Sequence, residues 1–173
     1  SMVQTAEGAM DEVSNILLRM KELAEQSLNG TLSDTERGYL DSEYTQLTNE
    51  IDRIASSTEF NGIELLNGNG GPVNIQAGIS TNTYDSTAVD LSTNRDAATL
   101  GLAVGIDSSA NATTAMGQID SAIETVSSAR SDFGAIQNRL ESSIRNINNT
   151  AENLSAANSR IRDVDVAQET SKM

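Results

Sequence analysis

Ile119, Val126, Phe133, Leu140, Ile147, Leu154 and Ile161 stand seven apart without a break, and Met116, Ile123, Ile144 and Ala151 fill companion positions of a 3-4 alternation. Apolar side chains at that spacing form one stripe along a helix, the seam by which helices pack side by side. From Thr113 to about Val166 there is no proline, and the only glycine after Gly117 is Gly134. Nothing in the backbone chemistry obliges such a helix to end. About fifty helical residues would extend roughly 75 Å. No helix that long buries its stripe against itself, so other helices must lie along it.

Two candidates precede it. Between Gln4 and Leu28, the residues Ala6, Met10, Val13, Leu17, Met20, Ala24 and Leu28 recur at helical spacing. Asn29-Gly30 then supplies a stop, with Gly30 expected in the left-handed conformation. Ser33 followed by Glu36 has the form of a capping box, and Leu40, Tyr44, Leu47, Ile51 and Ile54 continue at steps of four and three. The short loop makes these two helices antiparallel neighbours. After Ser57 the pattern gives way to Phe60-Asn61-Gly62 and to Asn67-Gly68-Asn69-Gly70-Gly71-Pro72, which is loop chemistry. Val73, Ile75 and Ala77 alternate with polar residues, as do Val89 and Leu91, which predicts a small β-hairpin over about 72–92. Leu100 to Ile106 follow no period.

The expected fold is therefore mainly α, a single domain over residues 1–173. It is an elongated antiparallel bundle of two N-terminal helices (about 4–28 and 34–57) and one long C-terminal helix (about 113–166), with the hairpin beside them. Both ends of the chain fall within helical patterns, which predicts a piece cut from a longer protein.

Composition narrows the function. The formal net charge is −14, which disfavours nucleic acid and anionic membrane surfaces as partners. With no Cys and no His, the chain lacks thiol nucleophiles, imidazole bases and the usual zinc ligands. No membrane span or signal peptide is visible. The acidic pairs Asp11-Glu12, Asp41/Glu43 and Asp163/Asp165 lack the spacing of a calcium loop and read as solvated surface, so no metal, cofactor or enzymatic activity is expected.

Several stretches resemble bacterial flagellin. Gln4-Thr5-Ala6-Glu7-Gly8-Ala9, Leu18-Arg19-Met20-Lys21-Glu22-Leu23-Ala24, Asn49-Glu50-Ile51-Asp52-Arg53-Ile54 and Phe60-Asn61-Gly62 are similar to its N-terminal half. Arg130 to Leu140 and Ser159 to Asp165 are similar to its C-terminal half. The resemblance implies the rod-shaped core of an extracellular filament subunit of the bacterial flagellum, without the terminal inner-tube segments or large outer domains. Its implied partners are other flagellin subunits and, for the full-length protein, an export chaperone and the filament cap. A stand-alone secreted helical binding module or adhesin is the alternative that the bundle also permits.

The resemblance further implies recognition by the host's Toll-like receptor 5 through Arg19, Leu23 and Gln26 on the first helix and Glu43 on the second. Helical spacing puts Arg19, Leu23 and Gln26 on a face rotated from the main seam, which predicts an exposed Leu23. Leu18 and Glu25 depart from the residues that related sequences often carry, implying binding that is retained but weakened. On the long helix, Phe133, Leu140, Ile147 and Leu154 are the expected packing residues. Arg130, Gln137 and Asn158 either fix the register of the seam or face solvent.

Overall fold

A computed structural model describes residues 1–78 and 86–170, with side chains described as far as residue 160. The tip of the expected hairpin falls at 79–85, outside the described residues; the side chains of Ile161, Asp163 and Asp165 likewise lie outside the description. Three helices form: α1 (Met2–Ser27), α2 (Asp34–Ser57) and α3 (Ser109–Thr170). Two short strand pairs lie between α2 and α3: β1 (Glu59–Phe60) with β2 (Ile63–Glu64), and β3 (Pro72–Gln76) with β4 (Ser86–Asp90). Among the described residues no helix is long and apolar enough to cross a membrane.

The chain divides into two compact units. One comprises Ser1–Val73 and Ala88–Gln137, the other Asn74–Thr87 and Asn138–Met173. In the first, α1, α2 and the N-terminal part of α3 share a core that includes Met10, Leu17, Met20, Tyr44, Ile51, Ile119 and Val126. Polar contacts fix the helix directions. Arg19 meets Glu43 at 2.8 Å while the Arg37 Nε donates to the Ser27 carbonyl at 2.9 Å, so α1 and α2 run antiparallel. Lys21 meets Asp120 at 2.7 Å and Asp11 meets Arg130 at 3.0 Å, so α1 and α3 are antiparallel too, with the same separation on each helix between the two pairs.

That register holds along the part of α3 that belongs to the first unit. Burial on α3 follows suit. Ala112, Ala115, Ile119, Ala122, Val126, Ala129 and Phe133 are buried, at alternating steps of three and four. In the second unit Leu140 and Ile147 are half-buried, and Leu154 is 59% exposed. The expected companion positions are also corrected. Met116 and Ile123 are half-buried while Ile144 and Ala151 are exposed, because alanines three residues after Ile119 and Val126 take the inner side. Small side chains there admit a neighbouring helix closely, which bulk at the same positions would prevent.

The turn from α1 to α2 also differs from expectation. Gly30 is not left-handed; the α1 cap is Leu28 in a right-handed helical conformation. Arg37, a buried residue in the first turns of α2, closes the turn instead. Its guanidinium donates to the carbonyls of Ser27 (2.9 Å), Leu32 (2.8 Å) and Asn29 (3.1 Å) and to the Asp34 carboxylate (3.3 Å). The planar fork thus satisfies carbonyls that the end of a helix leaves unpaired. Ser33 and Glu36 form the expected capping box, with each side chain accepting from the other residue's backbone amide. These bonds to Ser33 hold the Glu36 carboxyl below its ordinary pKa.

Residues 59–64 read as loop in the sequence but form the β1–β2 hairpin, with Glu59 opposite Glu64 and Phe60 opposite Ile63. Asn61 (φ 53°) and Gly62 (φ 77°) make its two-residue turn, and positive φ at both positions is what such a turn requires. The connector before α3 buries Leu91, Ala97, Leu100, Leu102 and Ile106, and backbone-directed side chains of all three helices hold it down. The Ser27 hydroxyl donates to the Ile106 carbonyl (2.6 Å), and Asp41 accepts from the Ile106 amide (2.6 Å). Asp52 accepts from the Ala97 amide (2.8 Å), and Gln118 from those of Ala103 and Val104. At Gly105 a Cβ would stand 2.3 Å from an Asp41 oxygen, so only glycine lets the connector approach α2 this closely.

Arg37→Ala removes one donor group and leaves several carbonyls short of partners, and we expect it to destabilise the chain by about 2–3 kcal/mol in urea unfolding. Arg37→Lys keeps the charge but loses the fork, and should recover less than half of that. For the capping box, Ser33→Ala should cost about 1 kcal/mol at neutral pH. Because the folded Glu36 pKa lies below the unfolded one, the part of this contribution that the Ser33 hydroxyl makes by donating to the Glu36 carboxylate is complete above the unfolded value and fades as pH falls through the folded value. The difference between the two proteins should therefore narrow in acid. Carboxyl NMR titration should find Glu36 shifted down in the parent and only partly released in Ser33→Ala, which keeps the backbone donor of residue 33.

Candidate functional site

The most connected polar surface of the first unit runs across α1 and α2. Arg19 lies on the outer side of α1, where its Nε and Nη2 donate to the Glu43 carboxylate at 2.9 and 2.8 Å, and its Nη1 donates to Glu22 at 3.0 Å. The hydrogen bonds from Arg19 to Glu43 and then Glu22 raise the pKa of a group that is always charged at neutral pH. Gln26 is exposed two turns further along α1. The structure thus brings Arg19 and Glu43 together and leaves Gln26 on the surface.

Leu23 is a different matter. The expected exposure is corrected: Leu23 is 1% exposed, and Ile16 on the same face is buried as well. Helix α1 packs on both α2 and α3, so its buried arc takes in Val13, Ile16, Leu17, Met20, Leu23, Ala24 and Ser27 and is wider than a single seam. Leu18, just outside that arc, is half exposed. Sequence reasoning also passed over Tyr39, which is 72% exposed and one helical turn before Glu43. An aromatic at i−4 from a residue already singled out was the available signal.

The residues expected to set the α3 seam divide. Phe133 is buried, Gln137 is half-buried, and Leu140, Ile147 and Leu154 are progressively uncovered as described above. Arg130 pairs with Asp11 across the α1–α3 groove, and Asn158 faces solvent. Deeper in the unit, the Tyr44 hydroxyl is buried without a hydrogen-bond partner, and burial followed by the nearby Asp41 charge pushes its pKa up to about 12. Among the described residues no group of three or more acidic side chains is placed to hold a metal ion.

The ends of the chain match two known regions. Residues 1–70 match the bacterial flagellin N-terminal helical region, and residues 116–173 the bacterial flagellin C-terminal helical region. The crystal structure of Bacillus cereus flagellin has the same fold, with a TM-score of 0.77 and 35% identity over 91% of this chain and 90% of that one. The chain belongs to the bacterial flagellin family. A flagellin of Halalkalibacterium halodurans is 46% identical over 172 residues, 98% of this chain and 62% of its own length. The flagellar filament 33 kDa core protein of Treponema phagedenis is 39% identical over 184 residues, 98% of this chain and 64% of its own length. The chain thus spans somewhat less than two-thirds of these two relatives. Flagellins are structural proteins and not enzymes, which agrees with a surface built of helix flanks and ion pairs.

Proposed function

We propose that this chain is the core of a structural subunit of the bacterial flagellar filament, working outside the cell by assembling with other copies of itself. The supporting observation is the stripe on α3. It continues into the second unit through Leu140, Ile144, Ile147 and Leu154, and Ile144 and Leu154 are each more than half exposed. A helix with exposed apolar positions along one stripe is suited to burial by neighbouring subunits or further flagellin segments. Family membership and the filament named for the Treponema phagedenis relative point the same way. An export chaperone and a filament cap would be partners of the whole protein under this reading.

Immunogold labelling tests it. Antibodies raised against the chain should decorate flagellar filaments of the source bacterium along their whole length. Labelling of the cell surface without filaments would favour a secreted adhesin or binding module and overturn the proposal.

A second part of the proposal concerns the α1–α2 surface, as a site recognised by Toll-like receptor 5. Its support is the exposed charged bridge of Arg19 and Glu43 with Gln26 on the same side of the molecule. Leu23 enters only as the buried support of that surface. We expect Arg19→Ala to weaken binding to the purified receptor ectodomain by about tenfold or more while leaving the melting temperature nearly unchanged, as for an exposed ion pair. Leu23→Ala should cost about 2–5 kcal/mol of folding stability, as truncation of a buried leucine does, so its binding must be read beside its unfolding curve. Unaltered affinity in Arg19→Ala would remove the assignment.

A further inference from the structure

An open trough of about 310 Å³ lies in the first unit between α1 and α3, lined by Gln4, Glu7, Gly8, Asp11 and Arg130. The four α1 residues sit at i, i+3, i+4 and i+7, so they share one face of the helix. The space at Gly8 is open, since a Cβ there would meet nothing within 4 Å. Arg130 binds Asp11 through Nη2 at 3.0 Å, but its Nε is buried with no acceptor. Glu7 is half-buried and forms no ion pair among the described residues. The trough therefore holds an incompletely bonded guanidinium beside a carboxylate with no counter-charge, and its net charge is negative. A guest bearing cationic or amide donors, with a carbonyl acceptor close by, would complete both groups.

One stretch of this chain has that chemistry on its surface. Residues 138–160 of α3 carry three arginines (Arg139, Arg145, Arg160) against two glutamates, in a chain of net charge −14. All three arginines, and the six asparagines of the same stretch, are exposed. We propose that the Arg130 trough is a contact site for a second copy of the chain and receives a guanidinium or carboxamide side chain from that copy's α3 between residues 138 and 160. The proposal rests on the reading of the chain as a self-assembling subunit and gives that assembly one specific contact. Acidic trough and locally basic helix attract each other, whereas most other pairings of two such acidic surfaces repel. An entering acceptor also draws the Arg130 guanidinium round to complete its hydrogen bonds.

Because the chain has no cysteine, single cysteines report contacts without background. Gln4→Cys, at the rim of the trough, is mixed in turn with Asn138→Cys, Arg145→Cys, Asn149→Cys and Asn153→Cys, and disulfide-linked dimers are followed over time. At least one pair should cross-link about fivefold faster than the same partner mixed with Thr45→Cys on the exposed side of α2, since a real contact raises the effective thiol concentration. Adding Glu7→Arg, which repels the arginines, or Gly8→Leu, which fills the space, to Gln4→Cys should return the rate to that of the control. If no pair outruns the control, or if neither added substitution slows the fast pair, the assignment is wrong. Sedimentation of the parent chain separates the two readings: self-association without trough cross-links removes this contact and leaves the subunit reading standing. Failure of the filament labelling would remove the subunit reading itself.

Discussion

A helix of 62 residues with an apolar stripe is stable in water only where something covers that stripe, and in the first unit α3 is buried along it as far as Phe133. Much of the first unit follows from that burial. Alanine is buried at positions 115, 122 and 129, leaving the bulk of the seam to Ile119, Val126 and Phe133. With one side of α1 committed to α3 and another to α2, its buried arc is wider than a single seam. The α1–α2 turn must then be tight, and Arg37 holds it by bonding three carbonyls around the end of α1. The connector from β4 to α3 completes the unit by docking over the same core through Ser27, Asp41, Asp52 and Gln118.

What could be read from the sequence was local or strictly periodic. The Ser33–Glu36 capping box depends on two side chains three residues apart, and it formed as expected. The seven-residue spacing of α3 identified the helix and its apolar side. Hydrophobicity then chose the wrong companions, because Met116 and Ile123 are more apolar than the alanines that lie inside, and a linear pattern does not encode the distance between helix axes. Leu23 was misplaced for a related reason. One seam was assumed for a helix that packs on two neighbours, so a buried residue was assigned to the surface. The aperiodic connector was illegible since its apolar residues are held one at a time by hydrogen bonds from residues far away in sequence. Arg37 looked like any arginine on a helix flank until its carbonyl partners were in place. Of the candidate surface, the sequence supplied the identities of Arg19 and Glu43, while their meeting depended on the register of α1 against α2.

That register raises a question of specificity. A strict seven-residue repeat is nearly degenerate: sliding α3 by one heptad past α1 returns apolar residues to apolar positions, so the stripe alone does not choose among alignments. Polar groups and small residues do. Slid one way, Asp11 would face Gln137 and Lys21 would face Ser127; slid the other way, they would face Ile123 and Thr113. Both ion pairs are lost in either case. The first slip also brings Ile136 to the buried position now occupied by Ala129, where its extra bulk has to be accommodated. Exposed ion pairs stabilise a fold by only about 0–1 kcal/mol each, too little to hold the bundle together but enough to bias otherwise similar alignments. Arg130, placed where an apolar side chain would strengthen the seam, instead makes one of the two pairs that either slip would break. The same placement leaves its Nε buried without an acceptor at the helix groove, so the group that pairs with Asp11 is not fully bonded within the chain.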